Sequence, residues 1–215
     1  SSISCPTALQ RAPRHNPRAR QRAHSRVRPF AASPRGAMPK VQAYVYDISQ
    51  GMASRLSVMM VGKQIDLIPH TGIVVFGREF FFGSGPCVGE PGKTIPCPVA
   101  QVLELGETDK TVEELDAHIQ GVLAAEHTPE KYNLLSHNCN HYADDVAKFL
   151  LGDKGLPSSI VNVAEEALST PQGQGLRSMI ENMERQMRMG TAGGSQGLNP
   201  FGSVGSAPGG QAPAP

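Results

Sequence analysis

"YNLLSHNCNHYADDVAKFLLG", residues 132–152, sets a cysteine between two asparagines and two histidines directly ahead of an amphipathic run. Beyond Cys139 the apolar residues Tyr142, Val146, Phe149 and Leu150 recur at helical spacing, and Gly152 stands where a left-handed C-terminal stop belongs. Asn138 is a good N-cap, so the spacing predicts a helix whose first residue is Cys139. At such a position the helix dipole and the unpaired backbone N–H groups favour thiolate over thiol, and the same N–H groups can receive the oxyanion of an attacked carbonyl. Three roles compete for Cys139: nucleophile, metal ligand, or small buried filler.

A cysteine nucleophile needs a base, and three histidines are candidates. His141 is two residues on, about 200° around the helix, and His137 precedes the cap, so neither folds comfortably onto the thiol. His70 opens the apolar run "HTGIVVF", where a strand end can present it to a helix N-terminus packed alongside. For a metal, His-x-Cys-x-His is an unusual chelating spacing on a helix, where i and i+4 side chains meet, and the chain has no CxxC pair. No metal and no cofactor are expected.

Upstream, "VQAYVYDIS" (41–49) alternates like a half-buried strand, and 51–68 suggests a short helix followed by a loop. "HTGIVVFGREFFFGSG" divides into two runs, Ile73 to Phe76 and Glu79 to Phe82, joined so briefly that a hairpin is expected. A Gly/Pro-rich loop leads to another strand, 100–105. From Thr111 the period becomes helical, with Thr111 and Glu114 placed as a capping box and helix expected to Glu126. Further helices are expected over 158–168 and 172–189, the second carrying Leu176, Met179, Ile180, Met183 and Met187 on one side. Strands followed by helices, rather than alternating with them, indicate an α+β fold.

Charge is distributed unevenly. Residues 1–40 contain no acidic residue and nine of the 20 basic ones, leaving 11 against 19 acids beyond them. That Arg- and Ser-rich stretch has the composition of an organellar transit peptide, or of sequence ahead of a start at Met38; with one aromatic, Phe30, it lacks the pattern of a nucleic-acid-binding arm. Residues 190–215 contain no charge and little but Gly, Pro, Ala and Ser, the composition of a flexible tail. The domain is therefore expected over 41–189. No segment approaches the ~18 uninterrupted apolar residues of a membrane span. Cys5, Cys87, Cys97 and Cys139 form no disulfide framework; Cys87 and Cys97 could bridge the loop between them, although free thiols fit a reducing compartment better. Cytoplasm or nucleus is the expected location, with plastid or mitochondrion the alternative if the leader is a transit peptide.

Taken in order, "AYVYDISQGMASRLS", "GKQIDLIPHTGIVV", "EFFFGSG", "YNLLSHNCNHYADDVAKFLLG" and "LPSSIVNVAEEALSTPQGQGLR" resemble the PPPDE peptidase family, in its desumoylating isopeptidase branch, from about Val41 to about Met187. The resemblance implies a circularly permuted papain-like α+β fold with a catalytic histidine preceding a catalytic cysteine, matched here by His70 and Cys139. It implies cleavage of the isopeptide bond between a ubiquitin-like modifier, SUMO or ubiquitin, and a lysine, and a homodimer with the groove near its interface. Pro69 departs from the aromatic that animal relatives carry before the histidine. Asn138 and Gln64 are candidate second oxyanion donors beside the Cys139 N–H, and Gly83 to Gly85 a candidate wall for a narrow groove. Two other functions fit the same residues: a thioesterase or lipid acyl hydrolase using the same dyad, and a non-catalytic adaptor working through the Met-rich helix.

Overall fold

The computed structural model describes residues 38–190. The basic leader before Met38 and the Gly/Pro-rich tail after Gly190 lie outside them, as does the first cysteine. The chain enters in β1 (Lys40–Asp47), whose alternation buries Val41, Ala43 and Val45 on one face. Asp47 then turns the chain: against the upward push of burial, its carboxylate accepts from the Ser49 hydroxyl and from the N–H groups of Gly51, Ile68 and Ser49, which together lower its pKa. α1 (Met52–Val61) follows, closed by Gly62 in the left-handed region at φ 71.

β2 (Pro69–Val75) is buried along its whole length and returns antiparallel to β1. Its hairpin partner β3 (Arg78–Phe82) forms where the two β-branched and aromatic runs predict it. Phe76 and Gly77, at φ 53 and 69, make the two-residue connection, a turn whose twist suits the flanking strands. β4 (Pro86–Gly89) arises inside the segment expected to be loop. Its four residues pair with β3, and tertiary pairing overrides their Gly/Pro content. β5 (Val99–Glu107) runs beyond the expected 100–105 and pairs with the other edge of β1. The sheet is wholly antiparallel, in the order β4-β3-β2-β1-β5.

α2 (Val112–His118) starts at the Thr111/Glu114 capping box. The expected single helix then widens into a π-helical stretch, Ile119–Leu123, around Gly121 and closes in α3 (Ala124–Glu126). α4 (Cys139–Leu151) ends at Gly152 in the left-handed region, as its sequence predicts. Its Tyr142, Ala143, Val146, Ala147 and Leu150 pack against Val41, Ala43, Val45, Ile73, Val75, Phe80 and Phe82, forming the main core. The helical segment after Ser158 breaks at Asn162 into α5 (Ser158–Val161) and α6 (Val163–Ala167).

α7 (Pro171–Gly190) splits its apolar stripe. Leu176 and Ile180 join a second cluster with Val61, Leu135 and Leu168, while Met179 is exposed. Met183 and Met187 lie outside the described side chains. Cys97 is a free thiol, so no bridge joins it to Cys87, which is disulfide-bonded against the free-thiol expectation. Among the described residues no helix is long and apolar enough to cross a membrane. Helices gathered on a small antiparallel sheet give the expected α+β arrangement, consistent with a small papain-like domain.

Candidate active site

The start of α4 is built by Asn138. Held extended at φ −116, ψ −170, it accepts the N–H groups of Asn140 at 2.9 Å and His141 at 3.3 Å on its side-chain oxygen. The His141 Nδ1 lies 3.4 Å from the Asn138 N–H and completes a capping box, a place usually taken by Glu or Gln. Asn138 Nδ2 donates to the Leu134 carbonyl at 2.8 Å. Both ends of the Asn138 amide are therefore engaged in ordering the helix start, which corrects its candidacy as an oxyanion donor.

The other two histidines near Cys139 are engaged elsewhere. His137 Nε2 sits 3.1 Å from the Glu126 carbonyl, and its ring stacks on His127 at 4.4 Å; His127 Nε2 in turn lies 2.8 Å from Asp145 Oδ2. Among the described residues no group of three His, Cys, Asp or Glu side chains is arranged to hold a metal ion.

The β2–β3 ladder ends at Ile73 and Phe80. Continued by count, its register would set His70 across from Gly83, but those residues do not pair, and α4 packs against both strands. Asn140 Nδ2 donates to the Pro69 carbonyl at 3.0 Å, tying the residue after Cys139 to the residue before His70. The Cys139 Sγ donates to Asn140 Oδ1 at 3.9 Å, and the backbone N–H groups of Asn140, of Cys139 itself and of Thr71, the residue after His70, pull the thiol pKa down. Segments 138–140 and 69–71, some 70 residues apart in sequence, thus meet at the thiol. Asn140 and Thr71 were missed by sequence reasoning, since neither residue type at that spacing announces a role.

His70 is 7% exposed, with its ring between Tyr46 at 6.4 Å and Phe81 at 6.3 Å. Three buried side-chain polar atoms among the described residues have no hydrogen-bond partner: His70 Nε2, Thr71 Oγ1 and Tyr142 Oη. Two belong to the strand beside Cys139 and the third sits one helical turn beyond it. Burial governs the electrostatics. It pushes the Cys139 thiol up to about 12 against the pull of the three N–H groups, and the His70 imidazole down to about 4. The sequence-level expectation that the helix start alone would favour the thiolate is corrected: desolvation of a thiol that is 9% exposed outweighs it. At neutral pH the resting pair is an uncharged thiol and an uncharged imidazole.

Beneath His70 lies a carboxylate that the sequence shows only as one Glu in "REFFF". Glu79 is fully buried and accepts from Tyr46 Oη at 2.8 Å, Thr94 Oγ1 at 2.9 Å and the Gly92 N–H at 2.8 Å. Those bonds pin the 90–98 loop to the sheet; burial, with the bond to Glu79 adding to it, raises the Tyr46 hydroxyl above its usual pKa. Gly72 makes room for it: a Cβ there would meet Glu79 Cγ at 2.8 Å and Cδ at 2.9 Å.

The remaining candidates are placed less directly. Gln64 is exposed, and its Nε2 donates to the Ser54 carbonyl at 3.2 Å and to Asp66 Oδ1 at 3.1 Å, so its amide is bound to its own loop and to α1. Gly83 and Gly85 form the β3–β4 turn, where the Gly83 N–H donates to the Gly85 carbonyl at 2.9 Å. Gly85, at φ 140, adopts a backbone that L side chains rarely take.

Comparison with known proteins agrees with this geometry. The PPPDE peptidase domain matches residues 39–181. Among curated proteins, human desumoylating isopeptidase 1 is 43% identical over 155 residues, 72% of this chain and 92% of that protein. The rat protein of the same name is 44% identical over 147 residues, covering 68% of this chain and 87% of its own length. The Xenopus laevis protein is 42% identical over 147 residues, with 68% and 86% covered. With the match spanning sheet, helix start and thiol alike, the chain belongs to the PPPDE peptidase family.

Proposed function

We propose that this chain is a cysteine isopeptidase that removes a ubiquitin-like modifier, SUMO in the first place and ubiquitin in the second, from lysines of conjugated proteins, with Cys139 as nucleophile and His70 as base. The observation that carries the assignment of residues is the meeting of 69–71 with 138–140 at the thiol. The names of the relatives, desumoylating isopeptidases, support the substrate class.

The chemistry is acyl transfer in two halves. His70 takes the thiol proton as the Cys139 sulfur attacks the carbonyl of the modifier's last residue, forming a C–S bond. The C–N bond to lysine breaks, and His70 returns the proton to the departing amine. Water, deprotonated by the neutral imidazole, then cleaves the thioester, releasing the modifier's carboxylate and restoring the thiol. Because the resting pair is uncharged, this proton transfer accompanies substrate binding instead of preceding it. The Cys139 N–H at the helix start is the donor available for the oxyanion, since the Asn140 N–H is taken by the Asn138 side chain.

The test is covalent capture by SUMO carrying a C-terminal electrophile, beside the same probe built on ubiquitin. A SUMO adduct lost in Cys139→Ala is the expected result. No adduct with either probe, or an adduct that survives Cys139→Ala, would refute the assignment. A homodimer belongs to the same proposal. It is supported by the family resemblance and by the exposed apolar side chains of α1, where Met52, Leu56 and Met59 line one side; sedimentation equilibrium would decide it.

A further inference from the structure

We propose that the Thr71 hydroxyl is a further catalytic group, donating a hydrogen bond to the Cys139 sulfur as it ionises. Thr71 shares its strand face with Ile73 and Val75, both in the core cluster that contains Cys139 and Tyr142. Its side chain is fully buried and its Oγ1 has no partner. Two residues before Thr71, the Pro69 carbonyl accepts from Asn140 Nδ2 at 3.0 Å, which sets this end of β2 against the start of α4, and the Thr71 N–H is among the groups that pull the Cys139 thiol pKa down. In that setting a turn about χ1 is the motion by which the unpartnered hydroxyl would be aimed at the sulfur.

Energetics favour a role outside the resting state. A buried hydroxyl without a partner is a cost, and valine has the same shape without it. A neutral thiol is a weak acceptor and gives the hydroxyl little reason to turn toward it. A thiolate is a charged acceptor in a desolvated site, where one more donor is worth most. No bond is made or broken at Thr71: the thiol proton passes to His70, and the threonine O–H stays intact while pointing at the negative sulfur.

The inference rests on the Cys139/His70 dyad but not on the identity of the modifier, and its test reads the thiol directly. Alkylation of Cys139 by iodoacetamide is followed across pH by peptide mass, which separates it from Cys97, in the wild type and in Thr71→Val and Thr71→Ser. Thr71→Val is expected to be at least as stable as wild type in urea, yet to show a Cys139 profile moved up by about one pH unit, roughly tenfold slower near neutrality. Thr71→Ser is expected to restore the wild-type profile. A Thr71→Val profile that overlays the wild type, a Thr71→Ser variant as impaired as the valine, or a clear loss of stability in Thr71→Val would each overturn the inference. Failure of SUMO conjugates to be cleaved would refute the substrate assignment and leave the alkylation profiles as the measure of this one.

Discussion

Gly72 on β2 leaves the space that Glu79 of β3 occupies, and a double-mutant cycle measures the coupling between them. In Gly72→Ala the new methyl meets Glu79 Cγ at 2.8 Å and Cδ at 2.9 Å, closer than carbon atoms pack. Glu79 is not free to swing aside, because the carboxylate is fully buried and accepts from Tyr46, Thr94 and Gly92. Displacing it loosens hydrogen bonds to a charged group and is expected to cost about 3 kcal/mol. Glu79→Ala leaves two hydroxyls and one N–H without their acceptor. The Tyr46 and Thr94 hydroxyls lie 3.4 Å apart and recover part of the loss by bonding to each other, so about 3–4 kcal/mol is expected. With the carboxylate gone the obstruction is gone, and adding Gly72→Ala to Glu79→Ala is expected to change stability by less than about 1 kcal/mol. The coupling is then about 2–3 kcal/mol. The chain has no tryptophan, so urea unfolding is followed by far-UV circular dichroism. Additive losses, or a Gly72→Ala protein within about 1 kcal/mol of wild type, would refute the account of this contact.

Three further outcomes are expected. Asn138→Ala removes the acceptor for the N–H groups of Asn140 and His141 and is expected to destabilise by about 1–2 kcal/mol, read from the same urea curves; no change would mean that the cap is replaced by solvent. Asn140→Asp sets a carboxylate oxygen against the Pro69 carbonyl where a 3.0 Å hydrogen bond now stands, and kcat/KM on a SUMO conjugate is expected to drop at least about tenfold; unaltered turnover would show that this tether does not align the two segments. Acid stability reports on His70. Above pH 6.5 its burial has no pH-dependent effect. Between 6.5 and its folded value of about 4 the unfolded chain binds a proton that the folded chain refuses, so stability is lost as pH falls, by about 3 kcal/mol at pH 4. His70→Gln is expected to lose stability less steeply over that window, and parallel curves would contradict the buried neutral imidazole.

Most of the scaffold was legible along the chain. The β2–β3 hairpin, the Thr111 capping box and the Asn138 to Gly152 helix depend on local rules of period, cap and turn, and each forms where those rules place it. β4 was not legible, because Pro86 and Gly89 resemble loop until β3 supplies a pairing edge. Nor was the π-helical widening at Ile119–Leu123, which no local period announces. On the Met-rich helix, periodicity marked the stripe but not its split into packed Leu176 and Ile180 and exposed Met179.

For the candidate site the division is sharper. The sequence by itself determined that a cysteine would open a capped helix, that His137 and His141 were poor partners for it, and that His70 would start a strand, since these follow from residues within one helical turn or one strand of each other. Only the tertiary structure decided that the start of α4 lies against the 69–71 strand where the β2–β3 ladder ends, that Asn138 is consumed by its own helix, and that Asn140 and Thr71 complete the contact. It also decided the protonation state at rest. The pull of a helix start on a thiol is a local property, whereas desolvation depends on everything packed around Cys139 and His70, and here the packing wins.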